Sequence, residues 1–202
     1  SVKVRYPKEA FASGLRILGE GQLSLTKNLF LIDGDINIKN FKDLMTYLLE
    51  RCEFESDLFI FSNISQDTLD YTGPSVNEGS KMLLIGVGAP KRKLPQQFKE
   101  ALPDGITVGE VFCPGLLVVE GDAYHPGCSL PQKLAIYPTL KEWPMIFLVD
   151  KGSNIKQDEG KFLWVTFTRF EPANDIYAAS SQVIRHHNCL TAPIVIDCRK
   201  KP

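Results

Sequence analysis

The chain has 202 residues, a formal net charge of -1, 44% hydrophobic residues and 23% charged ones. That length suffices for one sizeable core or two small ones, and the near-zero charge provides no field able to gather nucleic acid or an anionic membrane surface. No run approaches the roughly 18 apolar residues of a membrane span, and the first residues form no signal-like segment, so a cytoplasmic location is expected.

The opening segment, residues 2–19, mixes charge with Ala10, Phe11, Leu15, Ile17 and Leu18, which suggests a helix broken near Gly14 or Gly19. Residues 28–32, short, aromatic and β-branched, read as a buried strand cut off by the turn Asp33-Gly34-Asp35. From Asn40 the residues Phe41, Leu44, Met45, Leu48, Leu49 and Cys52 recur at helical steps, with Asn40 placed to cap and Asp43 in the first turn. Residues 57–61 supply a second strand. Strand, helix and strand in that order predict a βαβ core over about residues 28–62, its two strands parallel. The polar cluster 67–71 follows, and then Gly79-Ser80-Lys81 leads into the apolar run 82–88. Beyond it, Gly86-x-Gly88 stands beside Pro90-Lys91-Arg92-Lys93. Such a pairing either holds a phosphate on free backbone N–H groups and cations or is a solvated basic loop.

In the second half, apolar runs on either side of Cys113-Pro114-Gly115 predict two strands, or one strand interrupted by a bend, within residues 108–120. Residues 121–138, rich in Gly and Pro, read as a loop. His125 and Cys128 lie there at His-x-x-Cys spacing, but a metal would need two further ligands, and a structural histidine is the simpler reading. Residues 145–149 and 162–167 read as strands of a hairpin across the polar turn 151–160. Pro172, followed by Ile176, Ala179, Val183, Ile184 and His187, reads as a helix, which would place His186 and His187 at its end. Residues 194–196 form the last strand. The fold class is therefore α/β, a mixed and largely parallel sheet flanked by helices. The five cysteines, odd in number, widely spaced and without a Cys-x-x-Cys pair, read as reduced thiols.

One string is more specific than these patterns. Leu25-Thr26-Lys27, an apolar strand, Asp33-x-Asp35, an amphipathic helix, a second strand, Asp67-x-Leu69-Asp70 and Gly79-Ser80-Lys81-Met82 together resemble the C-terminal part of UbiD-family decarboxylases. Arg92-Lys93-Leu94-Pro95, the segment 112–119, Trp143-Pro144, the segment 162–172 and Pro193 to Asp197 extend the resemblance over nearly the whole chain. They look like the menaquinone-biosynthesis branch that passes through futalosine.

The resemblance implies that residues 1–202 form a single C-terminal domain, a fragment of a longer chain lacking its flavin-binding domain. It implies a carboxy-lyase parent using prenylated FMN, held through a divalent metal (Mn or Mg) and potassium, with a Glu-Arg-Glu network in the upstream part. None of those groups maps onto this chain, so no catalytic, cofactor or metal residue is assigned to it, and the fragment alone should be inactive. Its partners would be the missing N-terminal domain, further copies in a dimer or higher homo-oligomer, and an aromatic acid. A dihydroxynaphthoate is the implied substrate. A 3-polyprenyl-4-hydroxybenzoate of ubiquinone synthesis is the alternative, as is a purely structural dimerisation module. Thr26, Lys27, Asp33, Asp67, Asp70 and Lys81 are the candidates for the rim of the substrate cleft, since ligands of parallel sheets gather at strand ends. The plainer reading makes them turn residues and salt bridges. Gly34 stands where family members place a third acid, which weakens any cation site there.

Overall fold

The first elements form as their residues dictate. In a computed structural model that describes residues 1–153, 155 and 158–202, helix α1 (Glu9–Leu18) runs unbroken through Gly14 and ends at Gly19. Strand β1 (Asn28–Ile32) follows a 3-10 turn over Gly21–Leu25. Helix α2 (Phe41–Arg51) begins where Asn40 Oδ1 accepts a hydrogen bond from Asp43 N at 3.2 Å, so one of the helix's orphan donors is satisfied. The short helix α3 (Phe54–Asp57) leads into strand β2 (Leu58–Ser65), and strand β3 (Glu78–Gly86) completes a sheet of order β1-β3-β2.

This sheet is mixed α/β, as expected, but one strand direction differs from the βαβ reading. β1 pairs with β3 in parallel, whereas β2 pairs with β3 antiparallel, so β1 and β2 oppose each other with β3 between them. The reason is burial. Eight of the nine residues of β3 are buried, and a strand apolar on both faces needs a neighbour on each edge, so it takes the centre. Leu31, Leu83, Ile85 and Ala10 form the core beneath α1, and a Cβ on Gly14 would come 2.8 Å from Leu83 Cδ2. On the opposite face a Cβ on Gly86 would meet Leu48 Cα at 2.8 Å, so only glycine lets α2 lie this close to the strand.

Two compact units divide the chain. The first comprises residues 1–93, 171–173 and 182–189, the second residues 94–170, 174–181 and 190–202. Within the first, Ser80 Oγ accepts a hydrogen bond from Ala173 N at 2.9 Å. There too His187 Nε2 lies 3.1 Å from Glu55 O, and its ring centroid 4.7 Å from that of Phe59.

Strands β4 (Ile106–Cys113), β5 (Leu116–Gly121), β6 (Met145–Asp150), β7 (Ile176–Ile184) and β8 (His187–Asp197) form a sheet of order β4-β5-β6-β8-β7, of which all but residues 182–184 of β7 and 187–189 of β8 belong to the second unit. Of the two readings for residues 108–120 the structure has two strands: β4 and β5 pair antiparallel around Cys113-Pro114-Gly115, while β5–β6 and β6–β8 are parallel. One face buries Leu117, Val119, Ile146, Leu148 and Val195 beneath helix α4 (Leu130–Ala135). The stretch read as a loop over 121–138 thus contains a helix, with Pro131 in its first turn and Leu130, Leu134 and Ala135 buried.

Two further elements depart from the sequence reading. Residues 162–167 are not a strand but lie in helix α5 (Glu159–Phe167), because Asp158 Oδ1 accepts hydrogen bonds from Gly160 N and Lys161 N, and Phe162, Val165 and Thr166 are buried at helical spacing. Phe162 stacks on Phe112 with centroids 3.9 Å apart. Of the polar turn expected over 151–160, residues 154, 156 and 157 lie outside the described residues. After Pro172 the helix α6 lasts only one turn (Pro172–Asp175), and Ile176 to Ile184 are strand. Arg185 and His186, both at positive φ, form the two-residue connection to β8, so the histidines sit at a hairpin turn rather than a helix end.

Candidate functional site

The six candidate residues all lie in the first unit, and the fold parts them into two groups. Asp33 stands just past the carboxyl end of β1. Its Oδ1 accepts a hydrogen bond from Tyr47 Oη at 2.8 Å and its Oδ2 one from Gly88 N at 2.9 Å. Burial first, and then the hydrogen bond to Asp33, push the Tyr47 hydroxyl above its usual pKa. The Arg51 guanidinium lies 3.6 Å from the centroid of the same ring.

Thr26, Lys27, Asp70 and Lys81 belong to the opposite end of the sheet. Thr26 closes the 3-10 turn, with its N–H on Leu23 O, and Lys27 follows where β1 begins. Lys27 Nζ lies 2.7 Å from Asp70 Oδ2 and 3.3 Å from Thr72 Oγ1. Asp70 Oδ1 also accepts from Thr72 N at 3.0 Å and Thr72 Oγ1 at 2.6 Å. Partial burial raises the Asp70 pKa, but the bonds from Lys27 and Thr72 outweigh it and hold the carboxyl below its usual range. Asp67 plays a different part: its Oδ1 accepts from Leu69 N at 2.9 Å, an Asx turn that shapes the loop bearing Asp70.

Lys81 sits in β3 opposite Phe61 of β2 and is 3% exposed. Its Nζ makes no hydrogen bond among the described residues. Burial pulls its pKa below the usual lysine value, while Asp70 acts in the opposite sense. Of the residues that sequence reasoning missed, Thr72 is the hydroxyl that completes the Asp70 site. Gln66, 2% exposed, packs against Gly79, whose added Cβ would fall 1.4 Å from Gln66 Oε1. A glycine beside a polar cluster is the only sequence signal for that approach.

The other motifs are occupied by local bonding. At the Gly-x-Gly and basic cluster, Gly88 N is bonded to Asp33, Lys91 Nζ lies 3.3 Å from Asp57 Oδ2, and Arg92 Nη1 donates to Leu49 O and Cys52 O. Those donors are therefore committed to the protein itself. Cys128 Sγ accepts from Arg199 Nη1 at 3.5 Å. Arg169 Nη1 lies 2.9 Å from Asp150 Oδ2, and Glu171 is buried at the start of α6. Among the described residues no three His, Cys, Asp or Glu side chains converge as a metal site would require, and no helix is long and apolar enough to cross a membrane. The donor set that a flavin's metal needs is not offered here, and no chemical step through such a cofactor follows from these residues.

Fold and site together define a mixed α/β module whose charged cluster lies at one end of a three-stranded sheet. Residues 1–86 match the family model described as the 3-octaprenyl-4-hydroxybenzoate carboxy-lyase C-terminal domain. Over 201 residues, all of this chain, it is 43% identical to an uncharacterized protein of Chlamydia trachomatis serovar D, of which it covers 34%. It is likewise 43% identical over 201 residues to a Chlamydia pneumoniae protein whose name makes it part of a 4-hydroxybenzoate decarboxylase, again covering 34% of the relative. An uncharacterized Aeropyrum pernix protein is 32% identical over 114 residues, 54% of this chain and 23% of the relative. The chain thus spans about a third of the length of these chlamydial relatives.

Proposed function

We propose that this chain is the C-terminal domain of a UbiD-family carboxy-lyase, a domain that closes over the flavin-bearing part of the enzyme and takes part in its homo-oligomer. The observation that carries the reading is the family match over residues 1–86, which contains all six candidate residues. Thr26, Lys27, Asp70 and Lys81 then border the cleft where an aromatic acid enters, with Asp67 shaping the loop of Asp70. Asp33 anchors α2 through Tyr47 at the other end of the sheet. Prenylated FMN, with its divalent metal and potassium, belongs to the upstream domain, and this chain's contribution is to orient charge and exclude water around it. The protein acts in the cytoplasm.

A dihydroxynaphthoate of menaquinone synthesis is the substrate that the branch resemblance supports. A hydroxybenzoate is the second reading, favoured by the family description and by the name of the Chlamydia pneumoniae relative. The full-length protein, supplied with prenylated FMN, should release carbon dioxide from one of these acids and not the other. Release from neither overturns the reading. Light scattering on the same preparation tests the oligomer.

A further inference from the structure

Lys81 interrupts an otherwise apolar face. β3 places it in line with Leu83 and Ile85, and it lies opposite Phe61 on β2. Leu15, Leu18 and Gly19 of α1 and its cap, with Phe61, Ile64 and Ser65, line a groove of about 310 Å³ on which Lys81 borders. Only Ser65 adds a polar side chain to those walls. The ammonium has no hydrogen-bond partner among the described residues. Asp70 is the carboxylate that acts on it, yet both Asp70 oxygens already serve Lys27 and Thr72. Two buried or half-buried ammonium groups therefore share one carboxylate. A buried ammonium without a counter-charge is unfavourable, and folded proteins tolerate one where a carboxylate is brought to it.

The same neighbourhood shows apolar side chains to solvent. In the loop that carries Asp70, Leu69, Tyr71 and Val76 are 77, 83 and 70% exposed, and Leu15 on the groove wall is 44% exposed. Apolar surface beside a buried cation that lacks a hydrogen-bond partner among the described residues has the character of a protein interface. The occupant must bring a negative charge at its centre and apolar atoms around it. The chlamydial relatives have about two thirds of their length outside the matched region, so polypeptide able to supply this exists in the same protein.

We propose that the groove between α1 and β2 receives a segment of the remaining polypeptide of the full-length protein, and that an Asp or Glu of this segment, flanked by an apolar side chain, pairs with Lys81. The inference rests on the reading that the chain is one domain of a longer enzyme. It makes Lys81 a clasp between parts of the polypeptide rather than a ligand for the substrate acid or a flavin phosphate.

A structure of the full-length protein, solved with and without prenylated FMN, tests it. The expected result is a carboxylate from outside residues 1–202 within about 4 Å of Lys81 Nζ in both states. A contact to bound flavin, to a small anion, to solvent or to a second copy overturns it. In parallel, Lys81→Met in the full-length protein should raise the rate of limited proteolysis between this region and the rest about tenfold, since cleavage follows the population of the open form. An unchanged rate overturns the clasp. Decarboxylation by the wild-type protein separates the two claims: an active enzyme whose Lys81 lacks the carboxylate sinks the clasp alone, while an inactive protein with the carboxylate in place sinks only the proposed activity.

Discussion

Arg199 holds Asp197 through two parallel hydrogen bonds, Nε to Oδ1 at 2.9 Å and Nη2 to Oδ2 at 2.7 Å, with both side chains fully buried. Its remaining nitrogen, Nη1, donates to Asp122 O at 2.9 Å, so the guanidinium ties the end of β8 to the loop after β5. Removing one partner leaves the other charge buried and unpaired. Arg199→Met should therefore destabilise the chain by about 3–5 kcal/mol in urea unfolding, and the double replacement Asp197→Leu with Arg199→Met should lose less than that single change.

Lys81→Met in the 202-residue chain should act in the opposite direction. It removes an unpaired buried ammonium and keeps the apolar stem, so the free energy of unfolding should rise by an amount on the order of 1 kcal/mol at neutral pH. Because the folded-state pKa of Lys81 is depressed, its charged form penalises the native state wherever the unfolded lysine is protonated. The gain from the substitution should shrink as pH rises through the depressed folded value and be nearly gone above about 10.4, where the unfolded chain has lost the proton too. Urea titrations at pH 7 and pH 10.5 check both parts.

Asp70 contributes stability of the usual carboxylate kind. Its folded-state value lies below the ordinary aspartate value, so its contribution is complete above about pH 4–5 and fades as pH falls through the depressed folded value. Asp70→Asn should cost about 1 kcal/mol at pH 7, given the partial exposure of the pair, and the difference from wild type should close on acidification. Circular dichroism melts from pH 7 down to pH 3 give the measurement.

At Gly86 the constraint is steric. An alanine there would meet the backbone of α2, Leu48 Cα at 2.8 Å and Leu48 O at 3.0 Å, neither of which is a flexible side-chain end. Gly86→Ala should destabilise by about 1–3 kcal/mol, read as a lowered Tm, because α2 must move off the sheet.

The thiols should separate by burial. Cys52, Cys113 and Cys198 are buried, and burial pushes the Cys52 thiol up to about 12. Cys128 and Cys189 are partly exposed. Brief alkylation at pH 8 should mark Cys128 and Cys189 in the native protein and reach the other three only after unfolding, as resolved by peptide mass spectrometry.

Much of this architecture is legible in the residues because several signals agree locally. Asn40 ahead of Phe41, Met45 and Leu48 marks a helix with its cap, and Cys113-Pro114-Gly115 between apolar runs marks a break in extended chain. What cannot be read depends on distant partners or on competing periods. Nothing near residues 28–62 shows that β3 will take the centre between β1 and β2. The run Phe162 to Phe167 is apolar at nearly every position, so the period that distinguishes helix from strand is hidden, and the decisive group is Asp158, outside the run. Residues 176–184 pass for a helix because their turn is built on Arg185 and His186 instead of glycine or asparagine. The candidate cluster behaves similarly. Lys27, Asp70 and Lys81 stand out by residue type and neighbours, but their grouping apart from Asp33 follows from strand direction, and Thr72 carries no mark of its own.

Because the first unit draws residues 171–173 and 182–189 from far along the chain, its biosynthesis has a built-in delay. A ribosome must add about a hundred residues after β3 before His187 can reach Phe59 and Glu55, so the β1–β3 region waits through that interval without its last piece. Closure over so long a loop slows assembly and lengthens the window in which nascent apolar strands are open to chaperones or to mispairing. A protease nick near residue 93 would likewise not liberate a self-sufficient half.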